Sequence, residues 1–379
     1  MSDITKNSTT DRIFVFQGGG ALGAYQAGAY EALHNHDVAP DWLAGISIGS
    51  INSAIIAGSP HEKRVENLKT FWDMVSSGLT YDFGEQETPM RRATNDISAT
   101  LGATFGIPGF FSPRLHTPYQ WLFNPLAQIS YYDTEPLMKS LNELIDFKLI
   151  NNGLTRLSLG AVEVQTGNFA YFDSRHTRID VRHIAASGAL PPGFPPVEIG
   201  GRYYWDGGLV SNTPLQYVLD NNDSERDLDI FQVDLFSARG DMPKDQFEVE
   251  SRTKEIRFSS RTRMNTDEFA KRQIVRRAAK RLLDKLPAEF KDDEDAKILR
   301  SIGHEYDVTI VHLIHRRAAH ATHSMDAEFS RKSVTEHWQA GYDDVSYTLK
   351  HPKWRNRSRP KDGVQIFDLT RERRLNVKS

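Results

Sequence analysis

The octapeptide Trp42-Leu43-Ala44-Gly45-Ile46-Ser47-Ile48-Gly49 decides the fold of this chain of 379 residues. It opens with a short apolar run, and the positions from Gly49 to Gly58 are almost all small or aliphatic. The sequence therefore predicts that Ser47 lies where a buried strand turns directly into a helix. Such a tight turn strains the backbone and leaves no room for Cβ atoms beside the serine, so glycines at positions 45 and 49 suit it.

Two interpretations of Ser47 follow from this turn. In the first, the turn is a nucleophile elbow that points the hydroxyl outward, with the helix N-terminus and the N–H of Ile48 close to any oxyanion formed on attack. In the second, the segment is a glycine-rich helix start, and Ser47 is its N-cap residue. The five residues from Gly45 to Gly49 leave both interpretations open.

A second glycine-rich stretch lies upstream. Gly18-Gly19-Gly20-Ala21-Leu22-Gly23 follows the apolar run Ile13 to Phe16, a predicted buried strand, and opens a helix predicted to reach about Asn35. Dinucleotide-binding folds share the G-x-G-x-x-G spacing, but they place an acidic residue after the second strand, where this chain has the Ser47 turn. Alternatively, the glycines let backbone N–H groups converge on an anion, as an oxyanion hole requires.

A third stretch, Asp206-Gly207-Gly208, follows a predicted hairpin formed by residues 197–199 and 202–205. An aspartate at the end of a strand is held by a rigid element, and the glycines after it let another group approach. The alternative is an aspartate that makes ordinary turn hydrogen bonds.

The order of these three motifs resembles that of the patatin-like phospholipases. The resemblance covers about Arg12 to Phe236 and includes a proline-rich approach to the aspartate, from Ala185-Ala186-Ser187 to Pro196. It implies an α/β fold, specifically a three-layer α/β/α sandwich with a mostly parallel central sheet. It also implies a Ser47–Asp206 dyad that hydrolyses the acyl ester of a lipid, with phospholipase A, lysophospholipase and carboxylesterase activities (the EC 3.1.1 class) all open.

The resemblance also implies roles for the glycines. The oxyanion hole would comprise Gly18, Gly19, Gly20 and Ile48, and the elbow and turn glycines would be Gly45, Gly49, Gly207 and Gly208. Many members carry Arg or Lys where this chain has Leu22. A guanidinium there favours a substrate phosphate, so its absence leaves neutral esters open beside phospholipids.

Three segments are expected along the chain. Residues 1–11 are predicted to be a disordered N-terminus, 12–236 the catalytic domain, and 237–379 an extension that packs on the core and lies outside the resemblance. The segment from Lys254 to Lys285 contains eleven Lys or Arg residues and four acidic ones. Three of its apolar residues and one directly after it share one predicted helical face: Val275, Ala278, Leu282 and Leu286. Such a helix lies on anionic lipid or another chain, or it packs in the core with its basic face solvated.

The composition limits the kinds of partner and of chemistry that this chain can have. The net charge of −3 argues against a nucleic-acid partner, and the absence of cysteine excludes disulfides and a thiolate nucleophile. No stretch approaches the roughly 20 apolar residues of a membrane span. We expect a cytoplasmic protein that acts on a lipid or fatty-acyl ester without a cofactor or metal, with peripheral contact to a membrane as an open alternative.

From Gly78 to Tyr132 the periodic pattern breaks, and a long loop rich in aromatic residues is predicted. It is either a cap over an apolar site or a loop folded on its own aromatics. The aromatic and apolar residues concerned are Phe105, Phe110, Phe111, Tyr119, Trp121, Leu122 and Phe123.

Three rival functions remain. A Ser-His-Asp esterase would recruit His304, His312 or His315, which follow Asp206 in the chain, whereas His183 is expected to be structural. An acyltransferase of related fold would also pair the serine with a histidine. The third rival is a non-catalytic lipid-binding scaffold.

Overall fold

The computed structural model describes residues 10–78, 89–114, 128–153, 155–224, 226–259, 262–290, 293–302, 306–316 and 324–370. The strands are β1 (Thr10–Phe16), β2 (Trp42–Ile46), β3 (Ser112–Pro113), β4 (Tyr132–Asp133), β5 (Arg156–Glu163), β6 (Phe169–Asp173), β7 (Val197–Ile199), β8 (Arg202–Asp206), β9 (Asp227–Asp234), β10 (Val308–Ile314) and β11 (Val364–Phe367).

The helices are α1 (Ala24–Asn35), α2 (Ile48–Ala57), α3 (Arg64–Val75), α4 (Pro89–Phe105), α5 (Glu135–Leu144), α6 (Phe147–Asn151), α7 (Val181–Ser187), α8 (Leu215–Asp220), α9 (Gln246–Phe258), α10 (Thr262–Leu283), α11 (Glu294–Ile302), α12 (Arg331–Lys350) and α13 (Pro352–Arg355).

Nine of the described strands form one sheet in the order β11-β10-β9-β1-β2-β5-β8-β7, with β6 also paired to β5. The six strands from β11 to β5 run parallel to their neighbours, and β6, β7 and β8 are antiparallel additions. The predicted mostly parallel sheet is therefore confirmed. Because parallel strands end at the same edge, the turns after β1 and β2 meet there.

The sheet is covered on both faces, which gives the three layers. Side chains alternate along β1, so Phe14 and Phe16 belong to one apolar cluster and Ile13 and Val15 to another. The first cluster contains residues of α1, α2, α3 and α12, and the second contains residues of α8 and α10. The α/β/α sandwich is confirmed.

The C-terminal segment is continuous with the core. Its strand β10 pairs with β9 and with β11, so it extends the sheet itself. Helix α12 packs closely on α1 at two glycines: a Cβ at Gly28 would lie 1.8 Å from the carbonyl oxygen of Trp338, and one at Gly341 would lie 1.9 Å from that of Tyr25. The predicted boundary at residue 237 therefore divides the sequence, whereas the residues on its two sides share one sheet.

Two expectations about unstructured segments need correction. Strand β1 begins at Thr10, which pairs with Asp227, so the predicted disordered N-terminus of residues 1–11 extends two residues too far. The predicted loop from Gly78 to Tyr132 contains helix α4. Its buried face is partly polar, with Arg91 bonded to Glu336 at 3.1 Å and Ser98 to Glu328 at 2.6 Å, so apolar periodicity could not reveal it.

Two aromatic residues of that segment, Phe110 and Phe111, pack on the core. Phe110 contacts the rings of Phe71, Phe194 and Phe329, and Phe111 contacts Phe194 and Tyr132. Phe105 is exposed. Tyr119, Trp121, Leu122 and Phe123 lie outside the described residues, so the choice between a cap and a self-packed loop stays open.

Candidate active site

Ser47 lies at the turn between β2 and α2 with φ 55° and ψ −124°, a conformation that side-chain-bearing residues rarely adopt. Ser47 occupies the N-cap position of α2, but its side chain makes no capping hydrogen bond to the helix. Glycines are required on both sides because a Cβ at Gly45 would lie 2.4 Å from the carbonyl oxygen of Gly49. A Cβ at Gly49 would lie 2.4 Å from that of Phe16.

Asp206 reaches Ser47 through the register of strand β5. In β5, Gly160 pairs with Ile46, the residue before Ser47, and the next residue, Ala161, pairs with Asp206. The Ser47 hydroxyl lies near enough to the Asp206 carboxyl to lower its pKa. The N–H of Gly208 donates to the same carboxylate at 2.7 Å. The structure therefore brings the two residues together.

The Asp206 carboxyl is only 2% exposed, and this burial raises its pKa to about 7. The Ser47 hydroxyl and the Gly208 N–H act in the opposite direction and lower the pKa, but burial outweighs them. A carboxylate with a pKa near neutrality is a far better proton acceptor than one at the ordinary value of about 3.9.

Ser187, the last residue of α7, supports the elbow from below. Its hydroxyl accepts the Ser47 N–H at 3.1 Å, lies 2.7 Å from the Ser50 hydroxyl, and donates to the Gly160 carbonyl at 2.6 Å. It is fully buried. Sequence reasoning noted Ser187 only as part of the approach to Asp206 and assigned it no role, because its contacts lie far away in the chain.

The glycine loop lies against the elbow, but its residues are not equivalent. A Cβ at Gly18 would lie 3.1 Å from the Ser47 Cβ, so the loop touches the serine. The N–H of Gly18 donates to the Asn212 carbonyl at 3.2 Å and is therefore occupied, which corrects its expected place in the oxyanion hole. Within the described residues, the N–H groups of Gly19, Gly20 and Ile48 have no hydrogen-bond acceptor.

The C-terminal segment holds this loop in place. The Ala21 N–H donates to the Asp326 carbonyl at 2.8 Å, and Gly20, at φ +56°, passes so close that a Cβ would lie 2.1 Å from the same oxygen. Gln17 and Asn212 each donate to the Phe258 carbonyl at 3.0 Å. The sequence pattern did not reveal these contacts, because their partners lie in the part outside the recognised motifs.

Gln17 and Asn212 also bind the loop to the part of the chain before residue 237. The Gln17 side-chain oxygen accepts the N–H groups of Leu235 and Phe236 at 2.7 and 2.9 Å. The Asn212 side chain donates to the Gly18 carbonyl at 3.0 Å. A glycine loop without side chains is flexible by itself, so these external bonds define its conformation.

The remaining glycines of the predicted site, and Leu22, contribute to the shape and packing of the backbone around Ser47 and Asp206. A Cβ at Gly207 would lie 2.7 Å from the Gly160 carbonyl, so glycine allows the turn after Asp206 to approach β5. Gly208 supplies the N–H to Asp206 described above. Leu22 is fully buried in the apolar cluster beside α1, where it packs as a core residue.

No histidine is bonded to either member of the pair in the part of the chain that the structure describes. His183 forms a capping box with Asp180 at the start of α7, as its predicted structural role requires. His312 is buried on β10, and the ring of His315 contacts those of Tyr25 and His337. His304 lies outside the described residues.

The described residues offer no second site next to Ser47 and Asp206. They contain no cluster of His, Asp or Glu suited to a metal ion, and none of their helices is both long and apolar enough to cross a bilayer. A mainly apolar cavity of about 500 Å³ lies between α3, α4 and Phe329, and none of the candidate site residues lines it.

Comparison with known sequences identifies the family of this chain. A family profile described as patatin-like phospholipase matches residues 14–219, more than half of the 379 residues. The chain belongs to the patatin-like phospholipase family. A second profile, described as patatin phospholipase, matches residues 256–361 of this patatin-like chain. The expectation that the resemblance stops before the C-terminal segment is therefore wrong.

Individual relatives of this patatin-like phospholipase are distant. Two proteins named lysophospholipase NTE1, from two strains of Cryptococcus neoformans, are 25% identical over 236 residues, covering 61% of this chain but only 12% of their own length. VipD from Legionella pneumophila aligns with a TM-score of 0.39 and 13% identity over 98% of this chain and 74% of its own. A chain of the ExoU–SpcU complex from Pseudomonas aeruginosa aligns with a TM-score of 0.31 and 15% identity. This alignment covers 78% of this chain and 58% of the other. Neither structural match is strong enough to support an argument.

Proposed function

We propose that this patatin-like protein is a serine-dependent lipid acyl hydrolase in which Ser47 is the nucleophile and Asp206 the general base. One observation carries the proposal: strand register places the Ser47 hydroxyl beside the buried carboxyl of Asp206, whose pKa burial raises to about 7. A nucleophile bonded to a base of suitable pKa is what acyl transfer needs.

The reaction follows from this geometry. As the Ser47 oxygen attacks the ester carbonyl carbon, its proton passes to Asp206. The N–H groups of Gly19, Gly20 and Ile48 hold the tetrahedral oxyanion, and each such donor lowers a barrier by about 3 kcal/mol. Asp206 then returns the proton to the departing alcohol, which leaves an acyl-Ser47 ester. Water, deprotonated by the same carboxylate, releases the fatty acid and restores the serine.

The substrate class is an acyl ester of a lipid. Family membership and the lysophospholipase names of the two fungal relatives support this choice. Leu22 is part of the buried core and supplies no cation for a phosphate, so we propose that selectivity between phospholipids and neutral esters lies outside the glycine loop.

The test combines a short-chain chromogenic ester with a serine-reactive fluorophosphonate. We expect both turnover and labelling in the native protein, loss of both in Ser47→Ala, and a loss of turnover of at least about a thousandfold in Asp206→Asn. Ser77→Ala is the control, because Ser77 is an exposed serine bonded only to the Met74 carbonyl.

Other outcomes would reject the proposal. Labelling that persists in Ser47→Ala would remove the nucleophile, and the absence of turnover on any ester would favour a lipid-binding scaffold. Replacing His183, His304, His312 and His315 one at a time separates the dyad from a triad. A loss in any of these variants as large as that in Asp206→Asn would establish a Ser-His-Asp enzyme or a histidine-dependent acyltransferase.

A further inference from the structure

The outer face of helix α10 carries a row of exposed residues that we call the α10 stripe: Lys271, Val275, Ala278, Leu282 and Lys285. Their spacing of three or four residues places them in one line on the helix surface and its C-terminal continuation. Val275 and Leu282 are 60% and 56% exposed. The stripe is thus an apolar row with a lysine at each end, about 21 Å long at 1.5 Å per residue.

The opposite face of α10 is firmly attached to the protein. Phe269 is buried against the apolar cluster that includes Ile13 and Val15, and the Gln273 side chain donates to the Tyr306 carbonyl at 2.9 Å. Arg277 forms an ion pair with Asp307. The helix therefore packs on the core with exposed basic side chains, as one interpretation predicted, but Val275, Ala278 and Leu282 of the predicted apolar face point to solvent.

Charge indicates what covers the stripe. Helix α10 contains seven Lys or Arg residues and two acidic ones, whereas the whole chain has a net charge of −3. Arg272 and Arg281 are exposed beside the stripe, and its N-terminal end carries the acidic pair Asp267 and Glu268, of which Glu268 bonds Arg272 at 3.5 Å. The excess positive charge lies along the middle and C-terminal part of the helix.

We propose that the α10 stripe docks this protein on an anionic lipid surface. A helix lying in the plane of a bilayer buries an apolar face among the lipid chains while its cations meet the headgroups, and the stripe offers both elements in the right order. Its apolar side chains are too exposed to be explained by packing within the chain. The proposal uses the proposed lipid chemistry only to choose a lipid as the partner.

Helix α10 also connects this surface to the candidate active site. Helix α9, which precedes it, ends at Phe258, whose carbonyl accepts bonds from Gln17 and Asn212 beside the glycine loop. Further along, α10 contacts Tyr306 and Asp307 at the opposite edge of the sheet, before β10 begins. The helix therefore runs along the strands, and docking on the stripe would set the sheet parallel to the lipid surface.

Vesicle flotation tests the proposal with the full chain carrying Ser47→Ala, so that no lipid is consumed. We expect binding to vesicles of phosphatidylcholine with phosphatidylglycerol, weak binding to phosphatidylcholine alone, and release by high salt. Each cation near an anionic lipid surface contributes about 1 kcal/mol to binding. The triple variant Lys271→Gln/Arg281→Gln/Lys285→Gln should therefore lower the partition coefficient about 100-fold. Val275→Ser/Leu282→Ser should lower it at least about tenfold.

Matched variants elsewhere on the surface are the controls. Ile97→Ser removes an equally exposed apolar residue, 60% exposed on α4, and Lys63→Gln/Lys148→Gln/Lys350→Gln removes three exposed lysines outside α10. Both should bind vesicles normally. Equal losses in stripe and control variants would overturn the proposal, as would no binding to anionic vesicles.

A second copy of the chain is the competing occupant. If light scattering without lipid shows a dimer that the stripe variants dissociate, while vesicle binding is unchanged, the stripe is a protein interface and the proposal is wrong. Turnover of a soluble short-chain ester by stripe variants with Ser47 intact should equal that of the native protein. That assay depends only on the Ser47 chemistry, so failure of the proposed function and failure of the docking surface give different results.

Discussion

Asp206 lies beside Ser47 where strand β5 separates β2 from β8, and the Ser47 hydroxyl lowers the pKa of the Asp206 carboxyl. Adjacent residues of β5 pair with Ile46 and with Asp206, so backbone register brings the proposed nucleophile and the proposed base together. Burial then raises the pKa of that base to about 7. A dyad without histidine is chemically reasonable under these conditions, because the carboxylate can accept a proton at neutral pH.

The pH dependence of ester hydrolysis should report this pKa. Only the deprotonated carboxylate accepts the serine proton, so kcat/KM for an uncharged ester should rise with pH and level off above a midpoint near 7. Below the midpoint we expect about a tenfold loss per pH unit. An activity that stays constant from pH 8 to pH 5 would contradict a base of this pKa.

Asp206→Asn should stabilise the fold while abolishing turnover. Because the folded-state pKa of about 7 exceeds the ordinary 3.8, the folded protein binds this proton more tightly than the unfolded chain. The stability that protonated Asp206 contributes is complete below pH 3.8 and is lost as the pH rises to about 7. The variant should thus gain up to about 4 kcal/mol at pH 8 and less at pH 5, measured by urea unfolding. A gain independent of pH would argue against this linkage.

The strained backbone of Ser47 should be detectable by comparing two inactive variants. Positive φ costs a residue with a Cβ about 1–3 kcal/mol, and glycine avoids most of that cost. Ser47→Gly should therefore unfold at higher urea concentration than Ser47→Ala, by about 1 kcal/mol after the extra chain entropy of glycine is deducted. Equal stabilities would mean that the elbow relaxes when the hydroxyl is removed.

The elbow glycine at position 49 should not tolerate alanine. Its Cβ would lie 2.4 Å from the backbone carbonyl of Phe16, which belongs to a central strand and has little freedom to move. We expect Gly49→Ala to lose more than about 2 kcal/mol of stability and most of its turnover. Gly188→Ala is the matched control, because its Cβ meets nothing closer than 3.9 Å. Comparable damage in both variants would reject the steric explanation.

Ser187 should act by positioning the nucleophile. Ser187→Ala leaves the Ser47 N–H without its acceptor, so we expect kcat to fall about tenfold with KM nearly unchanged, and stability to fall by about 1–3 kcal/mol. Ser76→Ala removes another fully buried serine hydroxyl, which lies directly after α3 and donates to the Trp72 carbonyl at 2.7 Å. It should lower stability without changing kcat, and an equal kcat loss there would show that Ser187 has no specific role.

Local sequence patterns predicted the motifs because each depends on backbone sterics within a few residues. The glycines around Ser47, the strand before Gly18 and the hairpin that ends at Asp206 were all predicted from neighbouring residues, and their elements are confirmed. Helix α4 was missed because its buried face is partly polar and bonded to distant partners. The exposed face of α10 was misjudged because amphipathicity does not say which face meets the protein.

The sequence by itself determined where the strained turn, the flexible loop and the carboxylate lie along the chain, since those features are properties of short peptides. Only the tertiary structure decided that β5 places the carboxylate beside the serine. It also decided that burial shifts the pKa of that group, and that carbonyls of Phe258 and Asp326 hold the glycine loop. Register, desolvation and long-range hydrogen bonds depend on which surfaces meet after folding, and a local pattern contains no information about that.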